Sequence, residues 1–292
     1  MHTIIEKRQL SEQVYRMKIQ APLIARERKA GQFVILQLDT DFGERIPLTI
    51  ADADPVEGTI TIIFQAVGKT TINLSRYEEG QKIANVLGPL GNPTHVQKFG
   101  TVVCVGGGIG VAPMHPIAQA MKEAGNRIVI IMGARTKELV IMEEEMRAIA
   151  DELILVTDDG SYGRKALVTE PLKELCEAKT GAKPDLVVAI GPPIMMKFCA
   201  ETTRPYEVST VVSLNTIMVD GTGMCGGCRV TVGDATKFVC VDGPEFDGHK
   251  VDFDNMLKRL ASYRGQEERA KHSCLLDAEA DKLEASQTGA ER

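Results

Sequence analysis

The chain has 292 residues, enough for two domains and a small appendage, and its 43% hydrophobic and 25% charged residues are the balance of an ordinary globular protein. A formal net charge of −6 offers no attraction to nucleic acid or to an anionic membrane, so neither is expected as a partner. No apolar run approaches the roughly eighteen residues of a membrane span, no signal-peptide pattern opens the chain, and seven irregularly spaced cysteines make no disulfide framework, which together point to a reducing cytoplasm.

Residues 1–98 read as β-structure. Alternating or β-branched runs recur at 2–8, 12–20, 32–38, 46–51 and 58–65, separated by Gly, Pro and Asp, a spacing that predicts a small antiparallel barrel. A short helix is expected over Ile72–Tyr77, capped by Thr70 and Thr71. Over 99–215 the pattern changes to strand–helix alternation. Strands are expected at Thr101–Val105, Arg127–Met132, Leu153–Thr157 and Asp185–Ile190. Helices are expected from the end of a glycine-rich turn through Ala124, over Lys137–Ala150 and over Ala166–Ala178. Such alternation predicts a doubly wound parallel sheet. Residues 216–252 form a cysteine-bearing segment, and 253–292 a charged helical tail whose end, Glu284–Arg292, is expected to fray.

The strongest motif lies in the third segment. Asp220-Gly-Thr-Gly-Met-Cys225-Gly-Gly-Cys228, followed by Cys240, has the spacing of a plant-type [2Fe–2S] site with aspartate in the place of the first cysteine. A structural zinc site is the competing reading, although such sites normally use two Cys/His pairs, and reduced thiols in a glycine-rich turn are another. Asp220 is itself ordinary turn chemistry before glycine, and only its register argues for a ligand. Cys104, Cys176 and Cys199 fit as core thiols.

Three turns follow strands of the α/β segment. Gly106-Gly-Gly108-Ile109-Gly110 opens a helix, as a phosphate-cradling turn does, but tight strand–helix packing explains it equally, and it is not the standard G-x-G-x-x-G fingerprint. Asp158 and Asp159 could accept hydrogen bonds from ribose hydroxyls and would repel a 2′-phosphate, favouring NAD(H); a solvated Asp-Asp-Gly turn is the alternative. Gly191-Pro192 lies at a third strand end. In the first segment, Arg45, Pro47, Leu48 and Thr49, with Gly68, Thr70 and Thr71, are candidates for a flavin site. Lone His115 is tempting as a proton donor but is read as a packing residue, and no general base is assigned.

Taken together, these motifs resemble the ferredoxin–NADP reductase superfamily, in which an Arg-x-Pro-x-[Ser/Thr] strand holds flavin. The order of Leu87-Gly88-Pro89-Leu90-Gly91-Asn92 and the three later turns is similar to the electron-transfer subunits of class-1B dihydroorotate dehydrogenases over residues 1–250. Asp220 and the long tail resemble more closely the small subunits of NADH-dependent reduced ferredoxin:NADP oxidoreductases, which are electron-bifurcating transhydrogenases. The resemblance implies FAD held by Arg45, Pro47, Leu48, Thr49, Gly68, Thr70 and Thr71. It implies NAD(H) at Gly108, Ile109, Gly110, Asp158, Asp159, Gly191 and Pro192, and a [2Fe–2S] cluster on Asp220, Cys225, Cys228 and Cys240. The implied fold is an antiparallel FAD-binding β-barrel, a doubly wound NAD-binding α/β domain and a small cluster segment. The implied partner is a larger FAD/[4Fe–4S] subunit in a heterodimer, with ferredoxin reached through it. An NAD-dependent dihydroorotate dehydrogenase subunit is the first alternative, and a zinc-stabilised or redox-sensing binding module the second.

Overall fold

The computed structural model describes residues 1–40, 43–178 and 183–289. Its first sheet has seven strands: β1 (His2–Ser11), β2 (Val14–Gln20), β3 (Phe33–Gln37), β4 (Arg45–Asp54), β5 (Thr59–Gln65), β6 (Lys82–Ile83) and β7 (Asn85–Leu90). All pair antiparallel, in the order β6-β1-β2-β5-β4-β3-β7. The two edge strands are joined through Ala84 alone, so the sheet curls back on itself into a nearly closed barrel. Alternation divides the strands: Val34, Leu36, Ile60 and Ile62 fill the barrel, while Phe33 and Ile35 point outward into a different core. Two helices decorate it, α1 (Pro22–Glu27) and α2 (Lys69–Ser75). Helix α2 starts three residues before the expected Ile72. Gly68 is its N-cap, and Thr71, inside the first turn, accepts the Gly68 N–H at 3.1 Å.

The second sheet is built from β8 (Thr101–Gly107), α3 (Val111–Glu123), β9 (Arg127–Ala134), α4 (Glu143–Ile149), β10 (Glu152–Thr157), β11 (Arg164–Lys165), α5 (Thr169–Glu177), β12 (Leu186–Ile190), α6 (Pro193–Thr203) and β13 (Ser209–Ser213). Its order runs β11-β10-β9-β8-β12-β13 in parallel, so the winding reverses between β8 and β12. Both faces are covered, which is why its strands are almost unbroken apolar runs: Val103 and Val105 enter one core, Val102 and Cys104 the other. The helix expected over Lys137–Ala150 is shorter. The consecutive apolar residues Leu139–Met142 cannot share one helix face; Ile141 turns inward at 4% exposure, and α4 begins only at Glu143. Helix α5 likewise starts at Thr169, not Ala166, because Pro171 is tolerated only in a first turn.

The remaining elements are a hairpin of β14 (Arg229–Val232) and β15 (Ala235–Phe238), the single turn α7 (Val239–Asp242), β16 (Glu245–Asp247), α8 (Phe253–Ala261) and α9 (Arg264–Gly289). Strand β16 adds to the second sheet antiparallel to β13. Cys228, Val230, Val239, Cys240, Phe253 and Met256 are buried in the same core as Val103 and Val187, so the cysteine segment and α8 pack as extensions of one sheet face. Residues 91–94 tie the units together. Gln32 Nε2 donates to the Gly91 carbonyl at 2.8 Å, the Asn92 N–H to Gly243 at 2.7 Å, and Thr94 Oγ1 to Glu245 at 2.5 Å. Helix α9 is continuous to Gly289, so Glu284–Gly289 are helical where fraying is expected, and residues 290–292 of that expectation lie outside the described residues. None of the helices is long and apolar enough to cross a membrane, among the described residues.

Candidate functional site: two strand edges and a cysteine loop

On β4, register decides which side chains are free to meet a ligand. Arg45, Pro47 and Thr49 stand opposite Gln37, Ile35 and Phe33 of β3, on the outer face of the barrel. Leu48 and Ile46 alternate to the other face and pack against the barrel core, so Leu48 has only backbone to offer on the outer side. Arg45 is exposed. Near it, Thr70 is buried and its hydroxyl bonds the Glu44 carboxylate. Thr71 is occupied with the N–H groups of Val67 and Gly68 and donates to the Gly68 carbonyl.

The turns after β8 and β12 meet where the winding reverses, and the turn after β10 lies on the same sheet edge two strands from β8. The glycines there have different jobs. A Cβ on Gly110 would lie 2.2 Å from the Ile190 carbonyl oxygen, and one on Gly107 2.3 Å from Met195 Sδ, so these positions permit strand–helix packing. Gly108 adopts φ +54°, and a Cβ there would meet nothing within 4 Å, which leaves bare backbone open at the head of α3. A Cβ on Gly191 would lie 3.2 Å from the Gly107 Cα, and Pro192 is exposed beside it. The Asp pair splits. Asp159 accepts from the Ser161 N–H (2.9 Å) and hydroxyl (2.7 Å), which hold its carboxyl below the ordinary range. Asp158 is exposed. Thr157 closes this loop by donating to the Tyr162 carbonyl at 2.7 Å. Asp159 thus takes the turn role, and Asp158 presents the freer carboxylate.

The cysteine loop lies against the outer barrel face. Gly221, at φ +75°, approaches so closely that a Cβ would fall 2.6 Å from Ile35 and 2.8 Å from Leu90. Asp220 accepts the N–H groups of Thr222 (3.0 Å) and Cys225 (2.8 Å), and the first of these is the main reason its pKa is depressed. Cys228 and Cys240 are buried with their sulfurs 3.3 Å apart; burial, then the Cys228 sulfur, pushes the Cys240 thiol up. Cys225 is exposed, and its sulfur accepts the Gly227 N–H at 3.4 Å, while Cys228 accepts that of Cys240 at 3.5 Å. Asp220, Cys225 and Cys228 therefore share one loop and Cys240 joins Cys228 from α7, and no group of three is drawn together tightly enough to hold a single metal ion among the described residues. Three sulfurs and a carboxylate, two of the sulfurs already receiving backbone N–H bonds, fit a cluster that spreads its ligands over two irons. Two arginines went unread in the sequence: Arg229 and Arg259 donate to the carbonyls of Gly226 and Gly227. Arg229, next to Cys228, could have been noticed; Arg259 comes from the tail, and no local pattern connects it to the loop.

The family model for the iron–sulfur cluster binding domain of dihydroorotate dehydrogenase B matches residues 215–252, and that for the oxidoreductase NAD-binding domain matches 104–201. The chain is 51% identical over 267 residues to the dihydroorotate dehydrogenase B (NAD(+)) electron transfer subunit homolog of Thermotoga maritima, covering 91% of this chain and 93% of that protein. It is 33% identical over 257 residues to the dihydroorotate dehydrogenase B (NAD(+)) electron transfer subunit of Geobacillus thermodenitrificans, covering 85% and 96%. A chain of the NADH-dependent reduced ferredoxin-NADP oxidoreductase structure, solved in work on flavin-based electron bifurcation, superposes with TM-score 0.88 at 47% identity, covering 94% of this chain and 98% of that one. Likeness of this extent, together with the barrel, the reversing parallel sheet and the cysteine loop, places the chain in the family of dihydroorotate dehydrogenase B electron-transfer subunits and their homologues.

Proposed function

We propose that this chain is an FAD- and [2Fe–2S]-carrying electron-transfer subunit that oxidises NADH and passes electrons to a larger flavin and iron–sulfur partner, for ferredoxin-coupled reduction of NADP. The observation that carries the reading is adjacency: Pro47 and Thr49 pair with Ile35 and Phe33, and Ile35 is the residue against which Gly221 of the cysteine loop packs. A flavin on that face would lie beside a cluster on that loop. FAD supplies the conversion between the paired electrons of a nicotinamide and the single electrons of a cluster. This chain's residues orient and shield. Arg45, Pro47, Leu48 and Thr49, with Gly68, Thr70 and Thr71, hold the flavin. Gly108, Ile109, Gly110, Asp158, Asp159, Gly191 and Pro192 hold the dinucleotide, Asp158 taking the ribose hydroxyls while Asp159 shapes its turn. Asp220, Cys225, Cys228 and Cys240 hold the cluster. The functional division is 1–98, 99–215, 216–252 and 253–292, and the setting is cytoplasmic.

The second reading, the electron-transfer subunit of an NAD-dependent dihydroorotate dehydrogenase, is favoured by the match at residues 215–252. Native mass spectrometry of the anaerobically purified endogenous complex separates the two. A larger flavin-containing partner, with iron–sulfur mass on both chains and flavin absorbance that bleaches with NADH, is the expected result. A dihydroorotate dehydrogenase as partner makes the second reading correct. A colourless chain without partner or iron rejects both.

A further inference from the structure

Two arginines reach the Cys225–Cys228 loop from different parts of the chain. Arg229 Nη1 donates to the Gly226 carbonyl at 3.0 Å, and Arg259 Nη2, from α8, donates to the Gly227 carbonyl at 3.1 Å. Neither guanidinium enters an ion pair among the described residues, so no carboxylate among them is in direct contact with either charge. The peptide joining Gly226 to Gly227 carries at one end the carbonyl that Arg229 holds, and at the other the N–H directed at Cys225 Sγ at 3.4 Å. In a trans peptide these two groups point in opposite directions, so a cation on the oxygen fixes the N–H toward the sulfur and polarises it into a stronger donor. The next peptide has its carbonyl on Arg259 and the Cys228 N–H at its other end, so the second cation sits on the oxygen of the peptide that leads into Cys228. Arg259 is half-buried, so its charge is screened less than that of exposed Arg229. It is also held on a fixed element: Phe253 and Met256 bury α8 in the core, and Lys197 Nζ on α6 bridges Asp254 at 2.7 Å.

We propose that Arg259, assisted more weakly by Arg229, is a positioning residue of the iron–sulfur site that raises the cluster's reduction potential, by turning the carbonyls of the Cys225–Cys228 loop outward and placing positive charge behind them. The inference rests on the reading of Asp220, Cys225, Cys228 and Cys240 as the ligands. Its sign follows from charge: one-electron reduction adds a negative charge to the cluster, and nearby cations and N–H bonds to sulfur favour the reduced form. It also gives the C-terminal segment a task at the redox centre, since Arg259 lies beyond the residues that supply ligands.

The test uses the purified complex with Arg259→Gln, Arg259→Lys and Arg229→Gln, measuring iron content, the visible and EPR spectra, and the cluster's midpoint by potentiometric titration. Glutamine can still donate to the Gly227 carbonyl without charge, whereas lysine keeps the charge and loses the fork. With iron content intact, Arg259→Gln is expected to lower the reduced-to-oxidised ratio at a fixed potential about tenfold, equivalent to about 59 mV for one electron. Arg229→Gln should move the same way by less, and Arg259→Lys should stay near the unaltered protein. A merely structural clamp would alter iron retention and leave the potential of the loaded cluster in place. Loaded Arg259→Gln and Arg229→Gln at the unaltered potential overturn the proposal. If Arg259→Gln fails to retain iron, Arg229→Gln decides: a lowered potential supports the proposal and an unchanged one overturns it. An unaltered complex with no [2Fe–2S] signal overturns the ligand reading itself, and is seen before any variant is made.

Discussion

On the proposed ligand set, Asp220 has two demands on one carboxylate. Its oxygens take the N–H groups of Thr222 and Cys225, which shape the turn and keep the group ionised. A carboxylate has about four lone-pair sites, so two N–H bonds leave capacity for iron. Asp220→Asn separates the roles, because the amide oxygen still accepts an N–H while a neutral carbonyl is a poor ligand. Iron retention should fall clearly in that variant, with its far-UV circular dichroism unchanged; equal iron and an unaltered EPR spectrum would reduce Asp220 to a turn residue. Asp220→Cys completes a four-sulfur set and should keep the cluster. Its potential is expected to move by on the order of 100 mV, since ligand exchange shifts such clusters over a wide range. A titration and EPR spectrum identical to the unaltered protein's would show that position 220 does not touch iron. The same residue shows how far sequence reaches. Its spacing to Cys225 suggests a ligand register, but its use in the turn depends on where the Thr222 and Cys225 N–H groups point, which spacing does not encode.

Among elements, α8 makes the most of a short sequence. Asp252 caps it by accepting the Asn255 N–H at 2.9 Å, Phe253 and Met256 bury one face, and Arg259 leaves the last turn toward the cysteine loop. Asp252→Ala removes the cap and should cost about 1 kcal/mol of stability. If α8 is what aims Arg259, the cluster potential should also drift toward that of Arg259→Gln, read in one sample by urea unfolding and potentiometry. Strands and helices that follow one another along the chain were the readable ones: β8, the glycine turn and α3 alternate in sequence as they do in space. The wider periodicity overextends α4 and α5, because consecutive apolar residues and an early proline set their starts. Strands β13, β14, β15 and β16 were not read at all. At three to five residues each, they are defined by partners distant in sequence rather than by their own pattern.

At the scale of the molecule, the barrel and the parallel sheet meet through α3, the helix that begins at the glycine turn. Val14, Ala51 and Ile63 of the barrel share a core with Val111, Ala112, Met114 and Ile117 of α3. His115 lies in this contact. The Ala51 carbonyl and the charges of Asp52 and Arg16 face it from the barrel, and Glu145 faces it from α4, while Asp52 is itself paired with Arg28 at 3.3 Å. Burial is the largest influence and lowers the His115 pKa, outweighing the two carboxylates. The folded protein therefore takes up this proton less readily than the unfolded chain. Stability is complete above the ordinary histidine pKa of about 6.5 and is lost as pH falls from there toward the lower folded value. His249, also lowered by burial and by Arg204, contributes in the same direction from the far side of the sheet. Urea midpoints should thus decline less steeply between about pH 7.5 and about pH 5.5 in His115→Gln than in the unaltered protein, the remaining slope being the net of His249 and of Glu245, whose pKa burial raises and which therefore acts in the opposite direction. Parallel curves for the two proteins would mean that charging His115 costs nothing in the folded state.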